Sequence, residues 1–472
     1  MEITDLWKKV DEVCQTMRAC LGEAYVVGGA ARDLHLARNG QGPLTIKDVD
    51  IEVFGLSSVQ AETYLKTAGF LFEKVGKSFG VYKLRGVPID ISLPRREVKT
   101  GEEHTDFLIE IDPHMDLYSA AQRRDFTINA IYWDPLNDKW YDPHGGRKDM
   151  ADRVLRPTSS KFGEDPLRVL RGMQFIARFG LTATPECIAA CQQLGQENLS
   201  RERLWGEWKK LILHGKYFTA AFDFLRDVGW MEKYYPELFA LIGSQQNPIW
   251  HPEGNCHIHN CLVLEAFGRG TFKDEEEKLV LGLASICHDL GKPHTAVFGP
   301  TPKNPEPHWT NKGHENYLPP TDSFLARLTN EPKLIEEVRE LVKAHMKPSS
   351  FYKNKADASA FRRLALTVDL QKLEKLARFD QGGRGPTKPP EEEELAWFRT
   401  QAEQAKVFVS KPVPLVLGRH LLSNFNLKPG VRLGEVLKAL MEKQLAGEFD
   451  TLDGGLQLVP TLLNEDEKLQ SQ

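Results

Sequence analysis

Residues 48–54, Asp-Val-Asp-Ile-Glu-Val-Phe, alternate acidic and apolar side chains. A period of two belongs to a strand: Val49, Ile51 and Val53 point to one face, Asp48, Asp50 and Glu52 to the other. The apolar face has to be covered, so this strand belongs to a sheet lying on a core. The acidic face is the stricter constraint. Two carboxylates one residue apart repel unless they share a proton or hold a cation. A solvent-facing strand with three exposed acids carries the same pattern, so the neighbouring segments have to decide.

Upstream, "AYVVGGAARD" places Gly28 and Gly29 where an apolar strand gives way to a helix. Glycines there let backbone N–H groups approach phosphates at a helix N-terminus, and Arg32 can reach the same phosphates. Neither the GxxxxGK[ST] loop nor GxGxxG is present. Downstream, "VPIDISL" offers Asp90 between Ile89 and Ile91, a third carboxylate on another strand. Mg²⁺ takes one or two carboxylates plus substrate phosphates, and two such ions can activate a hydroxyl and stabilise a leaving pyrophosphate.

The 472 residues exceed what one core supports, so two to four domains are expected. Short β-rich stretches run from 24 to 145. Helical periodicity follows, as in Leu167, Leu170, Met173, Phe175, Ile176 and Phe179. "SQQNPIWHPEGN" and "DQGGRGPTKPPEEEE" read as a break and a linker. The expected division is a head at 1–150, a helical neck at 151–245, a histidine-rich helical domain at 246–385 and a helical tail at 386–472. "MEITDLWKKVDEV" reads as an amphipathic helix rather than a signal peptide, and no apolar run reaches membrane-span length. Seven cysteines without CxxC pairs argue against a disulfide framework or structural zinc; a reducing cytoplasm is expected. Net charge is −5, yet residues 147–178 carry eight basic against four acidic residues, a stripe compatible with a phosphate backbone. The acidic runs at 274–277 and 391–394 read as solvated faces.

Gly-Gly followed by D-x-D and a flanked aspartate resembles the nucleotidyltransferase superfamily of DNA polymerase β. "RRDFTINAIYWD" (123–134), "GEDPLRVLRGMQFIARFG" (163–180) and "RERLWGEWKKLIL" (201–213) resemble successive motifs of the class II CCA-adding tRNA nucleotidyltransferases, a class shared with bacterial poly(A) polymerases. The stretch between Gly29 and Asp48 is longer than usual there because of "ARNGQGPLT", which reads as a surface insertion. The resemblance implies an α+β fold: a polymerase β-like head of mixed sheet and helices, then all-α neck, HD and tail domains. Asp48, Asp50 and Asp90 would be catalytic, with Mg²⁺ on Asp48 and Asp50. Gly28, Gly29, Arg32, Arg124, Asp125, Asn129, Asp165, Arg168 and Arg171 would bind nucleotide. Asp165 and Arg168, read at i and i+3 on one helix face, would meet the Watson–Crick edge of a base, unless they form only a salt bridge. Glu202 and Arg203 would brace that helix. The segment between Asp90 and Arg123 would be the flexible loop tied to the change from cytidine to adenosine addition, which argues against a CC-only enzyme.

"HPEGNCHIHN", "SICHDLGKPH", "NKGHENY" and "VKAHMKP" resemble the HD phosphohydrolase domain that follows the transferase in some bacterial CCA-adding enzymes. The implied ligands are His259, His288, Asp289, His314, His345 and Asp380, holding Ni²⁺, Mn²⁺ or Mg²⁺, while His251, His257 and His294 read as structural or exposed. The last segment would help clamp the acceptor arm of tRNA.

The expected activity is template-independent addition or repair of the 3′ CCA of tRNA from CTP and ATP, in a monomer or homodimer with no membrane contact. The alternatives are an A-adding enzyme or poly(A) polymerase, a metal-dependent phosphohydrolase with an RNA-binding head, and an acceptor-arm chaperone.

Overall fold

The computed structural model describes residues 2–41, 44, 46–75, 80–99, 107–302, 304–385, 389–425 and 427–470. Two compact units divide the chain, Met1–Tyr234 and Tyr235–Gln472.

In the first unit, α1 (Ile3–Ala19) buries Leu6, Val10, Val13, Cys14 and Met17 at helical spacing. β1 (Glu23–Val27) runs directly into α2 (Gly28–Arg38). β2 (Val49–Phe54), α3 (Ser58–Thr67), β3 (Phe72–Val75), β4 (Val81–Leu84) and β5 (Ile89–Ser92) follow. β6 (Arg95–Lys99) and β7 (Phe107–Ile111) form a separate antiparallel pair, and α4 (Leu117–Ala121), β8 (Tyr132–Asp134) and β9 (Lys139–Tyr141) complete the head. The seven-stranded sheet runs β3-β4-β5-β2-β1-β8-β9. As the alternation requires, Val49, Ile51 and Val53 lie in one core with Val26, Ile89, Ile91 and the buried side of α1. Part of the segment between Asp90 and Arg123 is thus a β-ribbon rather than a loop; residues 100–106 lie outside the described residues. Of "ARNGQGPLT", Asn39–Gln41 are exposed, and 42, 43 and 45 lie outside the described residues.

α5 (Gly146–Ala151) and β10 (Val154–Leu155) lead to α6 (Arg168–Phe179), which ends at Gly180 in the left-handed region (φ 65°). β11 (Thr182–Ala183), α7 (Pro185–Gln192), α8 (Arg201–His214), α9 (Phe218–Asp227) and α10 (Trp230–Tyr234) close the unit, with α6 packed against α8 and α9. The helical spacing holds: Leu167, Leu170, Met173, Phe175 and Ile176 are buried, while Phe179 is half-buried.

The second unit starts with α11 (Pro236–Gly243) and α12 (Cys256–Gly268), which pack together, and continues with α13 (Glu275–Cys287) and the single turn α14 (Lys292–Thr295). An antiparallel hairpin, β12 (Val297–Thr301) and β13 (Asn304–Thr310), interrupts a region expected to be all-helical. The remaining helices are α15 (Pro319–Leu328), α16 (Pro332–Ala344), α17 (Lys347–Asn354), α18 (Ala358–Thr367), α19 (Leu370–Gly382), α20 (Glu392–Gln404), α21 (Gly418–Asn424), α22 (Val431–Ala446) and α23 (Leu452–Gln470).

The acidic runs are not merely solvated faces. Asp274 caps α13 by accepting from Glu277 N at 2.8 Å, and Glu277 is buried against Lys375. In the second run Glu394 is buried and accepts from Gln381 Nε2 at 2.8 Å, while Glu391 and Glu392 pair with Arg384 and Arg378. Carboxylates in a first helical turn meet the positive end of the helix dipole. Here they also bind neighbouring helices.

Candidate active site and metal centre

Sheet register assembles the head site. β2 and β5 are parallel, with Asp50 directly opposite Asp90, while β1 pairs antiparallel on the other side of β2 with Val27 opposite Asp50. The chain turns into α2 right after Val27, so Gly28 lands on the carboxylates. Gly28 has φ +68°, and a Cβ there would lie 3.3 Å from Arg124 Nη1 and 3.4 Å from Asp50 Oδ2. Both features call for glycine. Asp48 sits exposed just before β2. Asp50 keeps solvent-exposed surface, yet the protein crowded around it raises its carboxyl above the usual range, Arg124 pulls it down, and Asp48, Asp90 and Glu52 push it up again. Lys83, opposite Asp90 on β4, pairs with it at 2.9 Å.

Glu52 departs from the exposed-acid pattern. Its side chain is fully buried and accepts from Arg123 Nη2 at 2.5 Å and Arg124 Nη2 at 3.0 Å. Arg124 is thereby tied to the sheet beside Gly28. No spacing signal marks Glu52, because its partners are 71 and 72 residues away.

Arg32, Asn129 and Asp125 form one buried chain, which the half-buried Arg171 completes. Arg32 Nη1 donates to Asn129 Oδ1 at 2.5 Å, Asn129 Nδ2 to Asp125 Oδ1 at 2.9 Å, and Arg171 Nε to Asp125 Oδ2 at 2.6 Å. The Arg32 guanidinium also pairs with Asp33 and lies about 5 Å from the rings of Phe175 and Phe179. Only 3% exposed, it links α2 to α6. Burial opposes the charge of Asp125, but Arg171 and the hydrogen bonds from Asn129 and Phe126 N hold its carboxyl below the usual range.

Asp165 and Arg168 do not share a helix face. Asp165 is extended (φ −134°, ψ 105°) and α6 begins at Arg168. The residue before a proline is driven out of the helical region, and Pro166 follows Asp165. Arg168 Nη1 and Nη2 donate to the carbonyls of Lys161 and Arg123, each at 2.7 Å. Arg203, at the start of α8, donates to both Asp165 oxygens at 2.9 and 2.7 Å, so the brace reaches Asp165 rather than the helix. Glu202 is exposed.

In the second unit all six histidine-region candidates converge. His259 comes from α12, His288 and Asp289 from the end of α13, His314 from the turn after the hairpin, His345 from the end of α16 and Asp380 from α19. His259 Nε2 lies 3.0 Å from Asp380 Oδ1 and 3.4 Å from His288 Nε2. Asp289 faces two ways. Oδ2 is 3.3 Å from His288 Nε2, and Oδ1 is 3.2 Å from His314 Nε2, which itself lies 3.2 Å from His345 Nε2. Among the described residues, the groups of three potential ligands within 4.8 Å all fall here: His251, Glu253 and His259; His259, His288 and Asp289; Asp289, His314 and His345. Neither Asp289 oxygen accepts a hydrogen bond of normal geometry, although Lys292 Nζ is 2.6 Å from Oδ2 and also donates to Gln246 Oε1 at 2.7 Å. Buried imidazole nitrogens facing such a carboxylate fit a divalent ion. Gly291 permits the assembly, since a Cβ there would lie 2.2 Å from His314 O.

Glu253 and Lys292 carry no signal in the sequence, and His251, expected to be structural or exposed, stands among the potential ligands. His251 reaches Glu253 Oε1 at 2.9 Å, at the edge of the cluster. His257 is buried near Cys261 and His294 stacks on Tyr317. "WHPE" and "HDLGK" hold the missed residues, but their roles depend on contacts across the fold. All seven cysteines are free thiols, and among the described residues no helix is long and apolar enough to cross a membrane.

The family described as Poly A polymerase head domain matches residues 24–156. The chain is 36% identical over 325 residues to the multifunctional CCA protein of Pasteurella multocida (strain Pm70), covering 67% of this chain and 72% of that one. Against the multifunctional CCA protein of Xylella fastidiosa (strain M12) it is 36% identical over 315 residues, covering 65% and 70%. The fold is similar to the Bacillus stearothermophilus CCA-adding enzyme in complex with CTP (TM-score 0.63, 18% identity, 99% and 100% covered). It is also similar to the Thermotoga maritima CCA-adding enzyme complexed with tRNA (TM-score 0.56, 18% identity, 96% and 94% covered). With these sequence relatives and the carboxylate-bearing head described above, the chain belongs to the multifunctional CCA protein family of tRNA nucleotidyltransferases.

Proposed function

We propose that this chain adds and repairs the 3′-terminal CCA of tRNA from CTP and ATP, with the tRNA acceptor arm as its partner. The carrying observation is the register of Asp50 beside Asp90 and under Gly28. Asp48 and Asp50, with Asp90 beside them, would hold Mg²⁺, and their mutual repulsion fits a cation site. When bound, the ion supplies charge stabilisation around the α-phosphate while the tRNA 3′-hydroxyl attacks in line and pyrophosphate leaves. The backbone at Gly28 and Gly29 and the Arg124 guanidinium take the triphosphate. Arg32, Asn129, Asp125 and Arg171 act as one unit, fixing the ribose side of the pocket. Asp165, aimed by Arg203, and Arg168 read the base edge. Positioning and fixed charge do most of the work.

The test offers tRNA ending in CC and tRNA lacking CCA, each with labelled CTP or ATP. Incorporation of both nucleotides is expected, and Asp50→Ala lowers it by on the order of 10²–10³. A on the CC end with no C ever added means an A-adding enzyme, and long A tails on unrelated RNA mean a poly(A) polymerase. Full activity in D48A/D50A means that the head is only an RNA platform.

A second activity rests on the preassembled histidine cluster. His259, His288, Asp289 and Asp380 would hold one divalent ion, and Asp289, His314 and His345 could take another. Bound there, the ion supplies an activated water for phosphoester hydrolysis. Lys292 neutralises charge beside it. Hydrolysis of a chromogenic phosphodiester that disappears in H288A but persists in D50A is the expected result. The finer division into head, neck, HD and tail domains and a cytoplasmic location belong to the same reading.

A further inference from the structure

The four histidines of the cluster are not oriented alike. His288, His314 and His345 each donate Nδ1–H to the backbone carbonyl three residues earlier, Ser285, Asn311 and Val342, at 2.8, 2.7 and 2.6 Å. A carbonyl only accepts, so the proton is on Nδ1 and Nε2 turns inward. His259 has a different partner. Its Nδ1 lies 2.7 Å from Glu253 Oε1, and the same oxygen lies 2.9 Å from His251 Nδ1. The Glu253 side chain is 2% exposed, and its Oε2 is buried with no hydrogen-bond partner.

We propose that Glu253 is the positioning residue of this centre, a single carboxylate oxygen that fixes His259 with Nε2 toward Asp380 and His288 and holds His251 at the rim. The proposal rests on the reading that the cluster binds a divalent ion. A charged partner makes a ligating imidazole more basic than a neutral carbonyl does, and losing such a partner typically costs 10–100-fold in metal affinity. Because both imidazoles share Oε1, one carboxylate oxygen joins His259 to the segment carrying His251, beside the ring contact of His251 with His259 at 4.8 Å and the Gln246 Nε2 bond to Gly254 O.

Mn²⁺ binding to the full chain, measured by calorimetry, tests this, with head binding subtracted by working in D48A/D50A throughout. Added E253A should weaken binding at the histidine centre 10–100-fold. E253Q, which keeps an acceptor oxygen without the charge, should lose no more than about tenfold. Long-range nitrogen–proton spectra of histidine-labelled E253Q should keep the Nδ1–H form of His259, which E253A should lose. A merely structural role would lower the melting temperature without changing affinity or tautomer. Unchanged affinity in E253A overturns the proposal; if E253A does not fold, unchanged affinity and tautomers in both E253Q and E253L overturn it. Binding no stronger than in H288A removes the metal reading itself, a separate failure.

Discussion

Glu52→Ala isolates what the buried acid does. Glu52 has no exposed side-chain surface, and its partners Arg123 and Arg124 are 19% and 15% exposed. Guanidinium groups cannot shed their charge, so the substitution leaves two nearly buried cations facing each other. Removing one partner of a buried ion pair costs about 3–5 kcal/mol. The residual exposure of both arginines lets water reach them and favours the lower end, about 3 kcal/mol. For a unit of 234 residues, at about 2–4 °C per kcal/mol, the transition of the first unit should fall by about 6–12 °C. Scanning calorimetry reads this directly. E52Q, which keeps the shape and one acceptor, should fall about half as far, and Asp152→Ala, which cuts a surface pair with Lys148, should not shift measurably. At a temperature where the variant is folded, KM for the nucleotide should rise more than kcat falls, because Arg124 is no longer held beside Gly28. A melting temperature within about 2 °C of the parent in E52A would refute the reasoning.

Asp125→Asn should flatten the acid side of the stability curve. The Asp125 carboxyl is depressed in the fold, so its contribution is full above the unfolded value of about 3.9 and is lost as pH falls through the folded one; denaturant melts from pH 6 to 3 should show the difference. Gly28→Ala forces a side chain onto φ +68° and against Arg124, and nucleotide incorporation should drop at least tenfold while the fold loses about 1–2 kcal/mol, read by single-turnover assay and calorimetry. Gly291→Ala drives a methyl into His314 O; the turn must move, and Mn²⁺ affinity at the histidine centre should fall with nucleotide incorporation intact. Arg203→Ala removes the Nη2 that donates to both Asp165 oxygens and should change the ratio of CTP to ATP incorporation more than the total rate.

Features that depend on local spacing can be read before any long-range contact forms. The period of two in β2, the glycines after β1, the flanked Asp90 and the helical repeat in α6 are each written within a dozen residues, and backbone geometry alone turns them into faces and turns. The histidine and aspartate positions are legible through their motifs, and the fold brings all six together. Long-range partners were not legible. Whether an acid on β2 faces solvent or two arginines depends on pairing across 71 residues, and Glu52 and Asp50 look alike until the sheet is assembled. The partners of Arg32, the Asn129 side chain and the rings of α6, lie up to 147 residues away and show only once the chain has folded. Pro166, visible in the sequence, already weighs against a helical Asp165, and the fold has it extended. Which charges are neutralised inside and which stay open for a ligand depends on burial and partner charge, and both are set by chain segments that meet only when the chain has folded.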